Sequence, residues 1–519
     1  MKSDIQYYVN NLRNDLPASI VVFLVALPLC LGIALASGAP LFSGVIAGIV
    51  GGIIVSWASG SHLSVSGPAA GLTVIVFNAI ETLGSFNAFL LSVVVAGILQ
   101  LLLGFLKAGL IGAFFPVSVI KGMLAAIGLI LIIKQIPHAT GYDTSFDGDE
   151  SYMRETAESS FFEVVDALEG ISPGATLVTA VSLLILILWE TKLFKRSGLL
   201  QLIPGPLVVV IWGVTYNSLA TQFAPEWVIS HKHLVALPEL GSVENFVSQF
   251  RLPDFSQFGN FKIYSIAVTL AIIASLETLL SIEAVDKLDP HKRIAPTNRE
   301  LKAQGLGNIV SGMVGGIPIT AVIVRSAANI NAGGQTRLSS FFHGVLLLIS
   351  VMFFAGTLNQ IPLACLAAIL LQTGYKLAKP GLFVAFFRRG WNQFLPFTIT
   401  VIAILATDLL LGITIGMAVG IFFVLRANFH EAMTLTEHGS HYLLRLHKDV
   451  SFLNKALLRK HLTAIPADSD LIIDGTKALF IDQDILETIA DFLAAAPDKN
   501  IAVEVQGFEV ACLVPGSGH

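Results

Sequence analysis

The sequence predicts a polytopic α-helical membrane protein with a small α/β domain at its C-terminal end. Three observations predict it. Hydrophobic residues make up 54% of the 519-residue chain and charged residues only 13%, a balance foreign to ordinary soluble enzymes. From Leu16 to about Leu425, apolar runs of the ~20 residues needed to cross a hydrocarbon core of ~30 Å follow one another with little between them. After Arg426 the composition turns abruptly to the mixed, charged pattern of a soluble fold.

In chain order, the start "MKSDIQYYVNNLRND" is polar and the first apolar run is already a full span, so no cleavable signal peptide is expected. About fourteen segments follow, centred near residues 26, 50, 73, 97, 125, 182, 210, 275, 308, 325, 347, 369, 400 and 418. The third and the tenth look too short to span. Counting from a cytoplasmic N-terminus places four basic groups on one side: Lys107; Lys192, Lys195 and Arg196; Lys287, Lys292, Arg293, Arg299 and Lys302; and Lys376, Lys379, Arg388 and Arg389. The loop from His138 to Gly170, with nine acidic residues and one Arg, then falls outside, as does Thr221 to Phe261. Both termini are expected in the cytoplasm.

The three cysteines, Cys30, Cys365 and Cys512, are scattered, which excludes a disulfide framework and a CxxC metal site. No Ser/His/Asp set, P-loop or metal-ligand cluster is evident, so neither an enzyme nor a resident cofactor or metal is expected, and nothing points to nucleic acid.

Pro68 in "VSGPAAGLTVIV" has a counterpart in Pro318 of "GGIPITAVIVRS", 250 positions on. The same offset carries Pro28 of "LVALPLCLGIA" onto Thr278. The economical reading is two seven-segment repeats, approximately 12–220 and 262–430, each with a broken third segment. An odd number of spans inverts the second copy, so the half-helices of segments three and ten enter from opposite faces and their N-termini meet. A helix N-terminus carries unpaired N–H groups and about half a positive charge, so two facing each other make an anion site without a basic side chain. Small residues, Ala69, Ala70 and Gly71 on one side and Thr320 and Ala321 on the other, let an ion approach the backbone. Pro28, Gly67, Pro68 and Pro318 mark the expected helix breaks; the plainer alternative makes each Gly-Pro a kink between ordinary helices.

An ionisable group at membrane depth is a functional hypothesis by default. Glu277, in "AVTLAIIASLETLLSIEAV", lies one position from the repeat mate of Pro28. It could bind a proton, ligate sodium with Ser281 and nearby carbonyls, or pair statically with Arg325. Arg325 is expected about 10 Å down the tenth segment from Pro318 at ~1.5 Å per residue, on the cytoplasmic side of the site. Lys121 and Lys134 read as snorkelling side chains.

The stretches "DLPASIVVFLVALPLCLGIALASGAPLFSGVIAGIVGG", "LSVSGPAAGLTVIV" and "LKAQGLGNIVSGMVGGIPITAVIVRSAANINAGGQT" resemble the SulP (solute carrier family 26) anion transporters, over about residues 12 to 430. The resemblance implies a core domain moving against a gate domain, a homodimer, and a cytoplasmic regulatory STAS domain. Carried over by position, it places Ala69, Ala70, Gly71, Thr320, Ala321 and Val322 against the anion and makes Glu277 the acidic residue of span eight. Sodium-coupled bicarbonate members are similar but carry Asp at the Glu277 position and a hydroxyl at the Ile323 position.

From about residue 437 to 510 the chain reads strand, helix, strand, helix, strand. "SDLIIDGTKALFIDQDILETIADFL" resembles a STAS domain, with a buried strand from Leu471 to Ile473 and Asp482 before a helix. Signalling relatives open that helix with a phosphorylatable Ser; Gln483 and Asp484 stand there instead. The domain is expected to stop early, and "LVPGSGH", residues 513–519, reads as an appended tail.

The expected function is secondary active uptake of a small inorganic anion by a multi-pass inner-membrane protein, with membrane lipid around it and a cytoplasmic partner at the STAS domain. The style of the first span is similar to that of SulP members associated with carbonic anhydrase, which implies bicarbonate, coupled to Na+ or H+ at Glu277. The alternatives are a proton-coupled sulfate or dicarboxylate symporter and an uncoupled exchanger or channel. A nucleobase permease would share the seven-plus-seven architecture, but Arg325 and the STAS-like segment argue against it.

Overall fold

A computed structural model describes residues 2–110, 116–141, 171–191, 203–238, 243–407, 409–430, 433–447 and 449–508. Most of the acidic loop between His138 and Gly170, the Lys192 to Arg196 cluster, Cys512 and the 513–519 tail lie outside them.

Proline marks where helices begin. Pro40, Pro116, Pro204, Pro296 and Pro362 each stand immediately before a helix in extended or polyproline geometry. A residue with fixed φ and no N–H to offer loses nothing there. The first helix, α1, runs Lys2–Ala36, and α2 runs Leu41–Ala58 with a π-helical stretch at Gly51–Val55. Next come α3 (Ala70–Leu83), α4 (Phe86–Phe105), α5 (Val117–Thr140), α6 (Pro173–Trp189) and α7 (Gly205–Phe223). The second half holds α8 (Phe261–Leu288), α9 (Thr297–Val314), α10 (Ile323–Asn331), α11 (Leu338–Leu358) and α12 (Leu363–Leu377). It ends with α13 (Trp391–Ala406) and α14 (Leu409–His430).

Among the described residues, α1 from Gln6, α2, α4, α5, α8 and α11 are long and apolar enough to cross a membrane. The nine residues of α10 reach only ~14 Å at ~1.5 Å per residue, half of a ~30 Å hydrocarbon core. Pro28 does not break α1, which continues through it to Ala36. A proline inside a helix costs one backbone bond, and a buried helix packed on all sides holds its course around that loss.

Helices cross where glycines let backbones touch. A Cβ on Gly97 of α4 would stand 2.7 Å from the Gly305 carbonyl of α9, and one on Gly305 would stand 2.7 Å from the Gly97 carbonyl. The same reciprocal contact joins Gly52 of α2 to Gly344 of α11, and Gly128 of α5 to Gly374 of α12. An offset close to the one separating Pro68 from Pro318 exchanges the first two crossings: Gly52 goes onto Gly305 and Gly97 onto Gly344.

The chain divides into two compact units, Met1–Gly390 with Pro396–Gly416, and Trp391–Leu395 with Met417–His519. In the second unit β3 (Met433–His438), β4 (His441–Leu446), β5 (Asp470–Asp474) and β6 (Ala502–Gln506) form one sheet in chain order. The hairpin β3/β4 is antiparallel; β4/β5 and β5/β6 are parallel. Each parallel step needs a crossover, supplied by α15 (Lys455–Thr463) and α16 (Gln483–Ala495). Alternation along β4 buries Tyr442, Leu444 and Leu446, which pack with Leu458, Leu462, Ile485 and Ile489 of the helices in one core.

Candidate functional site

Two short strands carry the site. β1, Ser66–Gly67, pairs antiparallel with β2, Thr320–Ala321, with Ser66 opposite Ala321 and Gly67 opposite Thr320. From this pairing the chain runs one way towards α3 and the other way towards α10.

The details move the helix starts. Both helices begin past the prolines: α3 opens with a 3-10 turn at Ala70–Leu72 after extended Ala69, and α10 begins at Ile323 after extended Val322. Pro68 and Pro318 are therefore buried in the extended lead-ins and are not first helical residues. The reason is that the lead-ins bond to each other and to neighbours, which holds them out of helix. The Val322 N–H donates to the Val65 carbonyl at 2.9 Å, the Val65 N–H donates to Ser326 Oγ at 2.9 Å, and Asn329 Nδ2 donates to the Leu63 carbonyl at 3.0 Å.

This changes which backbone donors are left without a partner. Thr320 and Ala321 are 0% exposed, and the Ala321 N–H is taken by Thr278 Oγ1 at 3.3 Å; Val322 gives its N–H to Val65. On the α10 side the donors without an intrahelical acceptor are the N–H groups of Ile323, Val324 and Arg325, because the first helical bond runs from Ser326 N to Val322 O at 3.0 Å. Ile323 and Val324 are 42% and 51% exposed. On the α3 side Leu72 already donates to Ala69, which leaves Ala70 and Gly71; Ala69 itself is buried.

Glu277 of α8 lies against Gly71: a Cβ added there would stand 2.7 Å from Oε1 and 2.8 Å from Oε2. Oε2 has no hydrogen-bond partner. Ser281, one turn further along α8, is buried. Arg325 does not pair with Glu277. As third residue of α10 it stands at the helix start, where its wholly buried side chain donates through Nη2 to the Pro68 carbonyl at 3.3 Å and packs against Gly67. Its Nε and Nη1 have no partner. The expected 10 Å descent fails because residues 318–322 are extended, so the helix that would carry Arg325 away from Pro318 starts five residues late.

Sequence reasoning missed a buried polar set behind the strands. Asn308 of α9 bonds Ile319, Gln304 Nε2 donates to Ser66 Oγ at 2.8 Å, and Thr278 holds Ala321. Polar residues inside apolar helices were the available signal. Among the described residues no three His, Cys, Asp or Glu side chains gather to hold a metal ion.

The sulfate permease family matches residues 12–403 of this sequence. The chain belongs to the sulfate permease family. Like other members it is a multi-pass membrane transporter of anions and not an enzyme. Within the family it is 27% identical over 449 residues to the putative sulfate transporter YvdB of Bacillus subtilis, covering 86% of this chain and 79% of that one. It is 25% identical over 424 residues to the bicarbonate transporter BicA of Picosynechococcus, covering 80% and 70%. Among solved structures the fold is similar to that of SLC26A9, with a TM-score of 0.78 at 15% identity over 96% of this chain and 85% of that one. It is also similar to the transmembrane domain of a cyanobacterial BicA, with a TM-score of 0.64 at 22% identity over 79% and 97%.

Proposed function

We propose that this protein takes up a small inorganic oxyanion together with a cation bound at Glu277, by alternating access. The observation that carries this reading is the convergence on Gly71: the Glu277 carboxylate lies against the first turn of α3, whose N–H groups would receive an anion. The reading takes residues 1–430 as a transport domain of fourteen segments in two inverted repeats, with core and gate parts; the paired glycine crossings support it. It takes residues 437–510 as a cytoplasmic STAS domain, which the strand order fits, and it includes a homodimer in the inner membrane with both termini and a partner for the STAS domain in the cytoplasm.

Bicarbonate is the substrate put first, on the likeness to BicA, with sodium as its cation. A second reading, proton-coupled uptake of sulfate or a dicarboxylate, is favoured by two observations. Glu277 Oε2 has no partner, and Ile323 puts a hydrocarbon where a sodium site would want a hydroxyl. Carrying a proton with bicarbonate amounts to moving carbon dioxide and water, which gains nothing from the membrane potential, so proton coupling implies a different anion.

Uptake of labelled bicarbonate and sulfate into proteoliposomes, each with an inward sodium gradient, an inward proton gradient, or neither, tests this. Sodium-dependent bicarbonate uptake that Glu277→Gln abolishes supports the first reading, and proton-driven sulfate uptake supports the second. Gradient dependence that survives Glu277→Gln refutes the coupling role.

A further inference from the structure

The lead-in to α10, residues 315–319, leaves α9 and enters β2 without regular structure, buried in a region where water cannot satisfy its backbone. Backbone carbonyls of Ser311 and Ser43 take the Gly316 and Ile317 N–H groups, Ser311 Oγ donates to the Ile317 carbonyl at 2.8 Å, and a side-chain amide takes both groups of Ile319. Asn308 accepts from the Ile319 N–H through Oδ1 at 2.6 Å and donates from Nδ2 to the Ile319 carbonyl at 3.0 Å. It thus treats one residue of the lead-in as a neighbouring strand would. The same Nδ2 donates to Gln100 Oε1 of α4 at 2.7 Å, and Gln100 Nε2 donates to Ser275 Oγ of α8 at 3.3 Å. Asn308 and Gln100 are both buried. Ser275 lies two residues before Glu277 and Ile319 four residues before Ile323, the first donor of α10.

We infer that Asn308, oriented by Gln100, is a positioning residue that sets where the first N–H groups of α10 stand relative to α8 and so tunes anion affinity. The inference rests on the anion site proposed above. Backbone satisfaction alone would ask for any donor and acceptor near Ile319. What the structure has is a single amide bonded to both groups of one residue, its orientation enforced by a second amide that answers to the helix carrying Glu277. Gln100 makes no hydrogen bond to the lead-in itself, so its removal separates orientation from satisfaction.

The test uses the full-length protein in proteoliposomes, with initial rates of sulfate and bicarbonate uptake measured against anion concentration, and melting temperature measured in parallel. Gln100→Leu leaves both Asn308 bonds to Ile319 formally possible but releases the amide. It is expected to raise KM about tenfold, the equivalent of one hydrogen bond, with maximal rate within about twofold and melting temperature little changed. Asn308→Leu is expected to raise KM further, and Asn308→Asp, which keeps the acceptor for the Ile319 N–H, to fall between it and wild type. The double variant Gln100→Leu/Asn308→Leu should be no worse than Asn308→Leu alone, because the two act as one unit. Unchanged KM in Gln100→Leu, or a fall in maximal rate and melting temperature with KM constant, overturns the positioning role; strictly additive effects in the double variant do so too. Should Asn308→Leu fail to fold, Gln100→Leu and Asn308→Asp carry the test. Absence of saturable uptake of either anion by the wild-type protein would instead refute the proposed site.

Discussion

Substituting Gly71 by Ala separates the site from the fold with one methyl group. Its Cβ would lie 2.7 to 2.8 Å from three carboxyl atoms of Glu277, where an unstrained contact needs about 3.5 Å, so the carboxylate must retreat by roughly 0.7 Å. It retreats from the first turn of α3, and on the proposed function this disturbs an interaction between backbone N–H groups and an ionisable group of about 1.5–3 kcal/mol, or roughly 10- to 150-fold in an equilibrium constant. The fold suffers little, because what moves is the free end of a flexible side chain, and Ala in a helical turn is favoured over Gly by about 0.5–1 kcal/mol. Thermal stability should therefore hold or rise while gradient-driven uptake in proteoliposomes falls at least tenfold. Opposite signs are the signature, since a folding defect would lower both. Wild-type KM and gradient dependence in Gly71→Ala would refute the reasoning.

Gly67→Ala is expected to behave differently, because its Cβ would collide with Nη1 of Arg325, a group wholly buried and tethered at Pro68. Melting temperature and transport should fall together, and a wild-type melt would show that the guanidinium has room to move. In the C-terminal unit, the Thr476 hydroxyl and amide, with Arg445, hold the Asp474 carboxyl down to about 2. A depressed folded value means the stabilisation is complete above the unfolded value of about 3.9 and lost as pH falls through about 2. Asp474→Asn should therefore lower the stability of this unit at pH 7, the gap to wild type closing between about pH 4 and pH 2. Methyl signals of Leu444 and Ile473, followed through thermal unfolding of the full chain, would read it; a gap constant over that range contradicts the assignment.

What the sequence made legible was local or periodic. Apolar length located the helices, Pro68 and Pro318 located the interrupted segments, and Glu277 stood out because a carboxylate is costly in an apolar helix. The placement of Arg325 was not legible. Counting a helical rise of ~1.5 Å per residue from Pro318 assumed a helix that had not begun, and whether residues 318–322 coil or extend depends on Ser66 and Gly67, which lie in the other half of the chain. For the same reason the burial of Thr320 and Ala321 was not legible: it needs Thr278 and the partner strand. The Asn308 set was equally hidden, since each of its residues reads as one polar position in an apolar run until Gln100, 208 positions away, is placed beside Asn308.

The lead-ins to the two half-helices are not brought together by mutual attraction of the helix starts. Each carries about half a positive charge, Arg325 adds a full one, and in a medium of low dielectric such charges repel strongly. The β1/β2 pairing and the buried amides hold them together against that repulsion, and an ionised Glu277 carboxylate, which lies against Gly71, would relieve it. A substrate anion at the same turn would relieve it too, so the charged carboxylate and the anion are competing solutions to one electrostatic problem. On the proposed function, a cation that neutralises Glu277 would remove the competitor and strengthen anion binding, and by linkage a bound anion would strengthen cation binding to the same degree. Coupled uptake would then require no direct contact between the two ions, only that both act on the first turn of α3. That is why the alanine at position 71 should disturb anion affinity and gradient dependence together.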